Sequence, residues 1–474
     1  MKRLLFIPGI LLVLAAVLVA CGAQPTQAPT QAPTQAPTQL PTEAPTVAPA
    51  PLSGDALLGG KLYDSWLEEL AAEAPVDNQP LWSTSTSAAT DVAPEETWLC
   101  VTCHGVDYNG DNGFPGILAD AGKDPNELLA ILKGSSDPKH DFSSVMDDQQ
   151  LADIALFMNQ YVMDITPIVK DGKPVNGDSA NGKTLFDDTC TDCHGPQAIA
   201  INFHSDSEPE YPATIANENP AELLGKLRFG VPGMPDMPSG IDNGWAEKDY
   251  ADIISFLATL PTSSPLTEGG RLYDNWLAAL DVTSPDGNQP LWTGPLTSNG
   301  EDIGAEDTWR CSSCHGWDYK GAEGFTGILD ASSKSSEELT AWLDGSKNAS
   351  HNFTAVLNAE DISRLVTFMQ QGLVDKTFIN ADNTVTGGDA AHGKQLFLAS
   401  CKTCHGPEGK LINFAEGEGG TEYVGTVANE SPFEFFNKAS FGQPGTHMLA
   451  GLNLGWNLQD IIDVLTFAQT LPTQ

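Results

Sequence analysis

Four Cys-x-x-Cys-His pentapeptides carry the chemistry of this chain: Cys100-Val-Thr-Cys103-His104, Cys190-Thr-Asp-Cys193-His194, Cys311-Ser-Ser-Cys314-His315 and Cys401-Lys-Thr-Cys404-His405. Together they use eight of its nine cysteines. Two thiols at this spacing can add to the two vinyl groups of one haem, and the adjoining imidazole can reach the iron as proximal ligand. Zinc held by paired Cys-x-x-Cys motifs, or disulfides, would use the thiols but leave the histidine after every second cysteine unexplained. The expectation is therefore four covalently attached haem c groups, bound by the eight cysteines and by His104, His194, His315 and His405.

The elements that position these motifs come in a duplicated set. Gly60-Lys61-Leu62-Tyr63-Asp64 returns as Gly270-Arg271-Leu272-Tyr273-Asp274, and Asn78-Gln79-Pro80-Leu81-Trp82 as Asn288-Gln289-Pro290-Leu291-Trp292. Thr97-Trp98 before the first motif matches Thr308-Trp309 before the third, and Ile201-Asn202-Phe203 matches Ile412-Asn413-Phe414. Each half thus carries two non-identical haem regions. Turn-forming residues mark joints near Gly172 to Gly177, Pro261 to Thr267 and Asn380 to Gly387.

The periodicity is helical throughout. Leu62, Trp66, Leu67 and Leu70 lie at helical spacing before the first motif, and Lys183-Thr184-Leu185-Phe186 leads into the second. Each haem region closes on an amphipathic run: Leu151, Ile154, Ala155, Met158; Tyr250, Ile253, Ile254, Leu257; Ile362, Leu365, Val366, Met369; Ile461, Ile462, Leu465. A helix before Cys-x-x-Cys-His and another at the end resembles the class I cytochrome c family, which packs those helices together beside the haem. The resemblance covers nearly all of residues 54 to 474, with a longer lead before the first and third motifs. It implies an all-α protein of four cytochrome c-like haem domains in a duplicated dihaem module. The expected boundaries are 54–173, 174–263, 264–384 and 385–474.

The family places its distal methionine in a loop shortly before the last helix. Aligning Gly244-Trp245 with Gly455-Trp456 sets Met237 opposite Met448, and the resemblance makes these the distal ligands of the second and fourth haems. Met234, which aligns with Thr446, and His447, which has no counterpart, are the alternatives. The first and third regions lack that loop. They carry His140 in Lys139-His140-Asp141-Phe142 and His351 in Ser350-His351-Asn352-Phe353, at about the family's methionine position. Met146 is the nearby alternative, but Leu357 stands at its matching position. Bis-histidine ligation follows for these two haems. Methionine donates less electron density to ferric iron than imidazole does, so two potential classes are expected, low at His104 and His315, high at His194 and His405. His204 and His392 have no counterparts and read as surface residues. Trp82/Trp292, Trp98/Trp309 and Trp245/Trp456 could pack on porphyrin or bond a propionate, and Lys226/Lys438 could neutralise one.

Lys2 and Arg3, an apolar stretch from Leu4 to Ala20 and then Cys21 form a signal-peptide pattern over residues 1–20. Leu18-Val19-Ala20-Cys21 resembles the lipobox of bacterial lipoproteins, which implies lipidation of Cys21, the ninth cysteine, and export from the cytoplasm. Prolines at every fourth position from Pro25 to Pro49 make residues 21–53 an extended tether, up to roughly 90 Å long at polyproline rise. With 63 acidic residues against 23 basic the net charge is −40. Such a surface repels nucleic acid and attracts basic partners. The expected role is a membrane-tethered tetrahaem electron carrier between redox proteins, such as basic cytochromes or a membrane oxidoreductase. The alternatives are a haem enzyme resembling thiosulfate dehydrogenase or a peroxidase, which needs an open axial site, and a subunit of a larger complex or filament.

Overall fold

A computed structural model of the chain describes residues 51–86, 92–234, 237–298, 301–415 and 420–474. The signal segment, Cys21 and the proline repeat lie outside the described residues. Their regular secondary structure is almost entirely helical. Strand is limited to two antiparallel pairs of two residues each: Val169–Lys170 with Lys173–Pro174, and Thr297–Ser298 with Glu301–Asp302.

One arrangement occurs four times. A leading helix (Ala56–Glu69, Ser179–Thr189, Pro265–Leu280, Ala390–Ser400) packs across a closing helix (Asp148–Gln160, Glu247–Leu257, Ala359–Gln371, Leu458–Ala468). Three of the closing helices start at capping boxes, Asp147 with Gln150, Asn358 with Asp361 and Asn457 with Asp460, which satisfy amide groups the first turn leaves free. They bury apolar stripes such as Leu151, Ile154, Ala155 and Phe157.

Each crossing is made over a glycine. A Cβ on Gly59, Gly182, Gly269 or Gly393 would overlap the backbone carbonyl of Asp153, Asp252, Arg364 or Asp463 on the facing helix. The same closing-helix positions tie down the leading helix. The carboxylates of Asp153, Asp252 and Asp463 accept the backbone N–H of Asp55, Asp178 and Asp389 at 2.8, 2.6 and 2.7 Å. The third crossing reverses the polarity: Arg364 meets Glu268 at 3.2 Å, and Glu268 accepts the Ser264 N–H at 2.7 Å. Gly182→Ala should therefore force the second crossing apart and cost about 1–3 kcal/mol. Gly225→Ala, in a helix with open space around the new methyl, should be neutral or slightly stabilising. Thermal melts of the two variants check this; equal midpoints would show that the crossing tolerates a side chain.

Within each half the leading helix of the first haem region also packs on a helix of the second, Pro220–Phe229 or Pro432–Phe441. Gly60 admits the ring of Phe229 and Gly270 that of Phe441. An aromatic cluster fills the junction: Tyr63, Tyr108, Phe157 and Phe229 in one half, Tyr273, Tyr319, Phe368 and Phe441 in the other, with neighbouring centroids 5.0–6.0 Å apart. Tyr108 and Tyr319 hold left-handed backbone (φ 66° and 63°) while buried, a strain that only tight surroundings sustain.

The second junction also contains Lys376, 1% exposed, where the repeat has Ile165. Its ammonium donates to the Trp317 carbonyl at 2.6 Å and lies 3.6 Å from the Tyr319 ring centroid. Burial pushes its pKa well below the usual lysine range; Asp318 opposes this more weakly. In the unfolded chain the lysine binds a proton up to its ordinary pKa, so over that window folding releases it. Stability should rise with pH between the folded and the ordinary value and fall as the pH drops. In Lys376→Ile, urea melts at neutral and alkaline pH should lose that slope.

The halves meet along a polar seam. Asn453 donates from Nδ2 to the Ile199 carbonyl at 2.8 Å and accepts at Oδ1 from the Ser264 hydroxyl at 2.9 Å. The Tyr211 hydroxyl donates to Glu268 at 3.1 Å.

Candidate haem sites

Each motif forms a single short helical turn: Cys100–His104, Thr191–His194 after Cys190, Cys311–His315, and Lys402–His405 after Cys401. Residues three and four apart share a helix face, so both thiols and the imidazole of each motif project to one side. Gly105, Gly195, Gly316 and Gly406 stop these turns at φ 76°, 72°, 74° and 74°, a conformation costly for any residue with a Cβ. Their fourfold repetition after the histidine was a readable signal that the pentapeptide reading passed over.

None of the eight motif cysteines forms a disulfide. Burial pushes Cys100, Cys311, Cys314 and Cys401 up to about 12, and Cys103 and Cys190 to about 11. The motifs do not converge on one another. Among the described residues, the His, Cys, Asp and Glu side chains that come together within metal-ligating reach are His392, Asp460 and Asp463. The donor set thus fits one haem per motif better than zinc shared between motifs.

In the first and third regions the predicted histidines face one another. The His104 and His140 ring centroids are 6.1 Å apart, and those of His315 and His351 are 6.2 Å apart. Two imidazoles binding one metal from opposite sides, with metal–nitrogen bonds near 2.0 Å, would have centroids roughly 6.3 Å apart. Every Nδ1 is tied to a backbone carbonyl: His104 to Pro115 at 2.8 Å, His140 to Ile131 at 3.3 Å, His315 to Thr326 at 2.7 Å and His351 to Trp342 at 2.9 Å. That contact places the proton on Nδ1 and leaves Nε2 as the free donor atom. Burial lowers the pKa of His104 and His315 and keeps these rings neutral, the ligating form.

Between the two histidines of the first region lies a cavity of about 220 Å³ lined by Cys100, Cys103, Leu128, Phe142 and Ile154. Met146, the alternative ligand, is 4% exposed and packed in the core.

The repeated Asn-Gln-Pro-Leu-Trp segments hold these pairs together. Gln79 donates its backbone N–H to the Thr97 hydroxyl oxygen at 2.9 Å and its Nε2 to the Lys139 carbonyl at 2.7 Å. Gln289 repeats both contacts, with Thr308 at 2.9 Å and Ser350 at 2.8 Å. One buried glutamine in each half therefore links the segment before the motif to the turn bearing the distal histidine.

The second and fourth regions differ. His194 and His405 are also held neutral by burial, but their Nδ1 atoms have no hydrogen-bond partner among the described residues. Each ring meets a phenylalanine edge-on, Phe203 or Phe414, with centroids 5.9 Å apart. Met237 is half-buried in the loop after Pro220–Phe229, and Met448 is half-buried in the equivalent loop after Pro432–Phe441. Met234 and His447 are exposed. His204 is exposed, and His392 pairs with Asp463 at 2.8 Å.

Other proposed haem contacts are committed elsewhere. Lys226 pairs with Asp64 at 2.6 Å and Lys438 with Asp274 at 3.0 Å, so these lysines tie haem regions together instead of waiting for a propionate. The Trp98 and Trp309 indoles donate to the carbonyls of Asp77 and Gly287. Trp82 and Trp292 pack on Phe114 and Phe325.

The described chain is an all-α protein with a cytochrome c-like fold. Residues 177–257 match the family described as cytochrome C oxidase, cbb3-type, subunit III, a segment holding Cys190, Cys193, His194 and Met237. That segment is a c-type cytochrome domain, and covalent haem c with its iron is the cofactor it implies. The solved structure of thiosulfate dehydrogenase (TsdBA) from Marichromatium purpuratum, in its as-isolated form, aligns with 82% of this chain and 89% of that chain. Its identity is 15% and its TM-score 0.20, a superposition too loose to carry an argument. Domains of this kind are typically extracytoplasmic. Among the described residues no helix is long and apolar enough to cross a membrane.

Proposed function

We propose that this chain is a tetrahaem c-type cytochrome that carries electrons between redox proteins outside the cytoplasm, tethered to a membrane by a lipid on Cys21. The observation that carries the electron-transfer reading is the pair of facing histidines, His104 with His140 and His315 with His351. Each facing pair would hold an iron between its two imidazoles and leave no open position for a substrate, so electron exchange is the chemistry such a site would supply.

Haem c supplies a one-electron couple at iron when bound. The chain's own residues do the rest. Paired cysteines fix each group by two thioether links, and the histidine next to them supplies the proximal nitrogen. His140 and His351 close the far side of two sites, and Met237 and Met448 would close the other two. The carbonyls of Pro115, Ile131, Thr326 and Trp342 hold each imidazole in the ligating tautomer. Apolar side chains, among them Leu128, Phe142 and Ile154, line the first cavity. The acidic surface favours basic redox partners and disfavours nucleic acid.

Mass spectrometry of the purified chain should show four haem additions. The oxidised protein should be low-spin and resist cyanide and carbon monoxide at all four sites. Fewer additions, or ready ligand binding at one site, would point instead to a haem enzyme with an open axial position.

A further inference from the structure

Arg271 takes the place that Lys61 holds in the first half, and its guanidinium is spent on the loop containing Met448. Nε donates to the Phe441 carbonyl at 3.0 Å, Nη1 to the Thr446 carbonyl at 3.1 Å and Nη2 to the Met448 carbonyl at 2.7 Å. Its counter-ion is Asp206, from the loop after the second haem motif in the other half of the chain, at 2.6 Å. Asp206 also accepts the Gly445 N–H through its other oxygen at 2.9 Å. Arg271 and Asp206 are 8% and 9% exposed. Two buried charges thus bind the carbonyls and an amide of one short loop, and the planar guanidinium meets four acceptors at once, one more than the three N–H donors of an ammonium allow. The equivalent loop of the first half is held differently: Glu69 accepts the Gly233 N–H at 2.8 Å, and Lys61 lies 3.9 Å from Glu69.

We propose that Arg271 and Asp206 are positioning residues for Met448, so that the sixth-ligand loop of the fourth haem is held in place from the second haem region. The inference rests on the reading of Met448 as that ligand. Charged second-sphere partners fix the orientation of a ligand, and loosening them weakens the bond it makes. Neither residue touches the haem itself. The clamp also couples two sites, since a shift in the loop after the second motif would be felt at the fourth.

The test uses the purified holoprotein and the weak far-red absorption band that marks methionine sulfur on ferric haem. Met448→Ala comes first and should remove about half of that band, because two haems are assigned methionine. Asp206→Asn, which keeps the side-chain shape, and Arg271→Lys, which reproduces the first half, should each diminish the same half. Each should also lower the midpoint potential of one haem and admit imidazole there, with the other three haems and the helical circular dichroism unchanged. A merely structural role would leave the band and the potentials of the folded variants alone. If Met448→Ala halves the band while both clamp variants keep it and all four potentials, the clamp is wrong and the ligand assignment stands. If Met448→Ala leaves the band whole, the ligand assignment falls and the clamp falls with it.

Discussion

Replacing His140 by alanine is expected to turn one haem from low-spin to high-spin and open it to carbon monoxide, leaving the other three unaltered. His140 and His104 stand 6.1 Å apart with each Nδ1 engaged by a carbonyl, so the two Nε2 atoms are left to share one metal. Core packing holds Met146 in place, so no sulfur should move in to replace the lost imidazole. Loss of an imidazole donor should raise the midpoint potential of that haem by on the order of 0.1 V, well inside the roughly 0.8 V that axial ligands span. His351→Ala should do the same to a different haem, and the double variant should bind two equivalents of carbon monoxide. Variants that stay fully low-spin would refute the facing pairs as ligands. Alanine at Gln79 should give a milder form of the first change, because the turn bearing His140 would lose its bond at the Lys139 carbonyl.

A redox titration should separate the haems into two pairs, by about 0.1 V or more. Two features of the chain push the same way. One is the distal donor, imidazole at the first and third sites against thioether at the second and fourth. The other is the proximal histidine. The carbonyls of Pro115 and Thr326 pull on the Nδ1 protons of His104 and His315, which makes those rings more basic and favours ferric iron. Among the described residues His194 and His405 have no such acceptor. Their haems should therefore hold electrons more readily. Met237→His should move one haem from the high pair to the low. A single homogeneous wave, or a Met237→His variant with unaltered potentials, would overturn the assignment.

Much of this was legible in the sequence because it rests on local chemistry. A thiol pair and a histidine within one helical turn define their own site whatever surrounds them, and the leading and closing helices follow from apolar periodicity. The histidines at 140 and 351 were readable because the duplication marks both at the same place. What the sequence hid lies in contacts between distant segments. Nothing in the string distinguishes Gly182 as a crossing point from Gly225 as an unconstrained helix residue; only the facing Asp252 carbonyl does. Lys226 and Lys438 looked available to a propionate because their partners, Asp64 and Asp274, stand more than a hundred and sixty positions away. Gln79 and Gln289 were seen as part of a repeat, but their task appears only once the turn before each distal histidine is folded beside them.

The contacts of Asn453 with Ile199 and Ser264, and of Tyr211 with Glu268, bear on how the duplication has aged. Identical modules strung together could be shuffled, added or lost. Here the Asn453 amide nitrogen and the Tyr211 hydroxyl find their acceptors across the seam, so a gene fragment encoding either half alone would bare polar groups shaped for an absent twin. What began as repetition has become a single heritable unit.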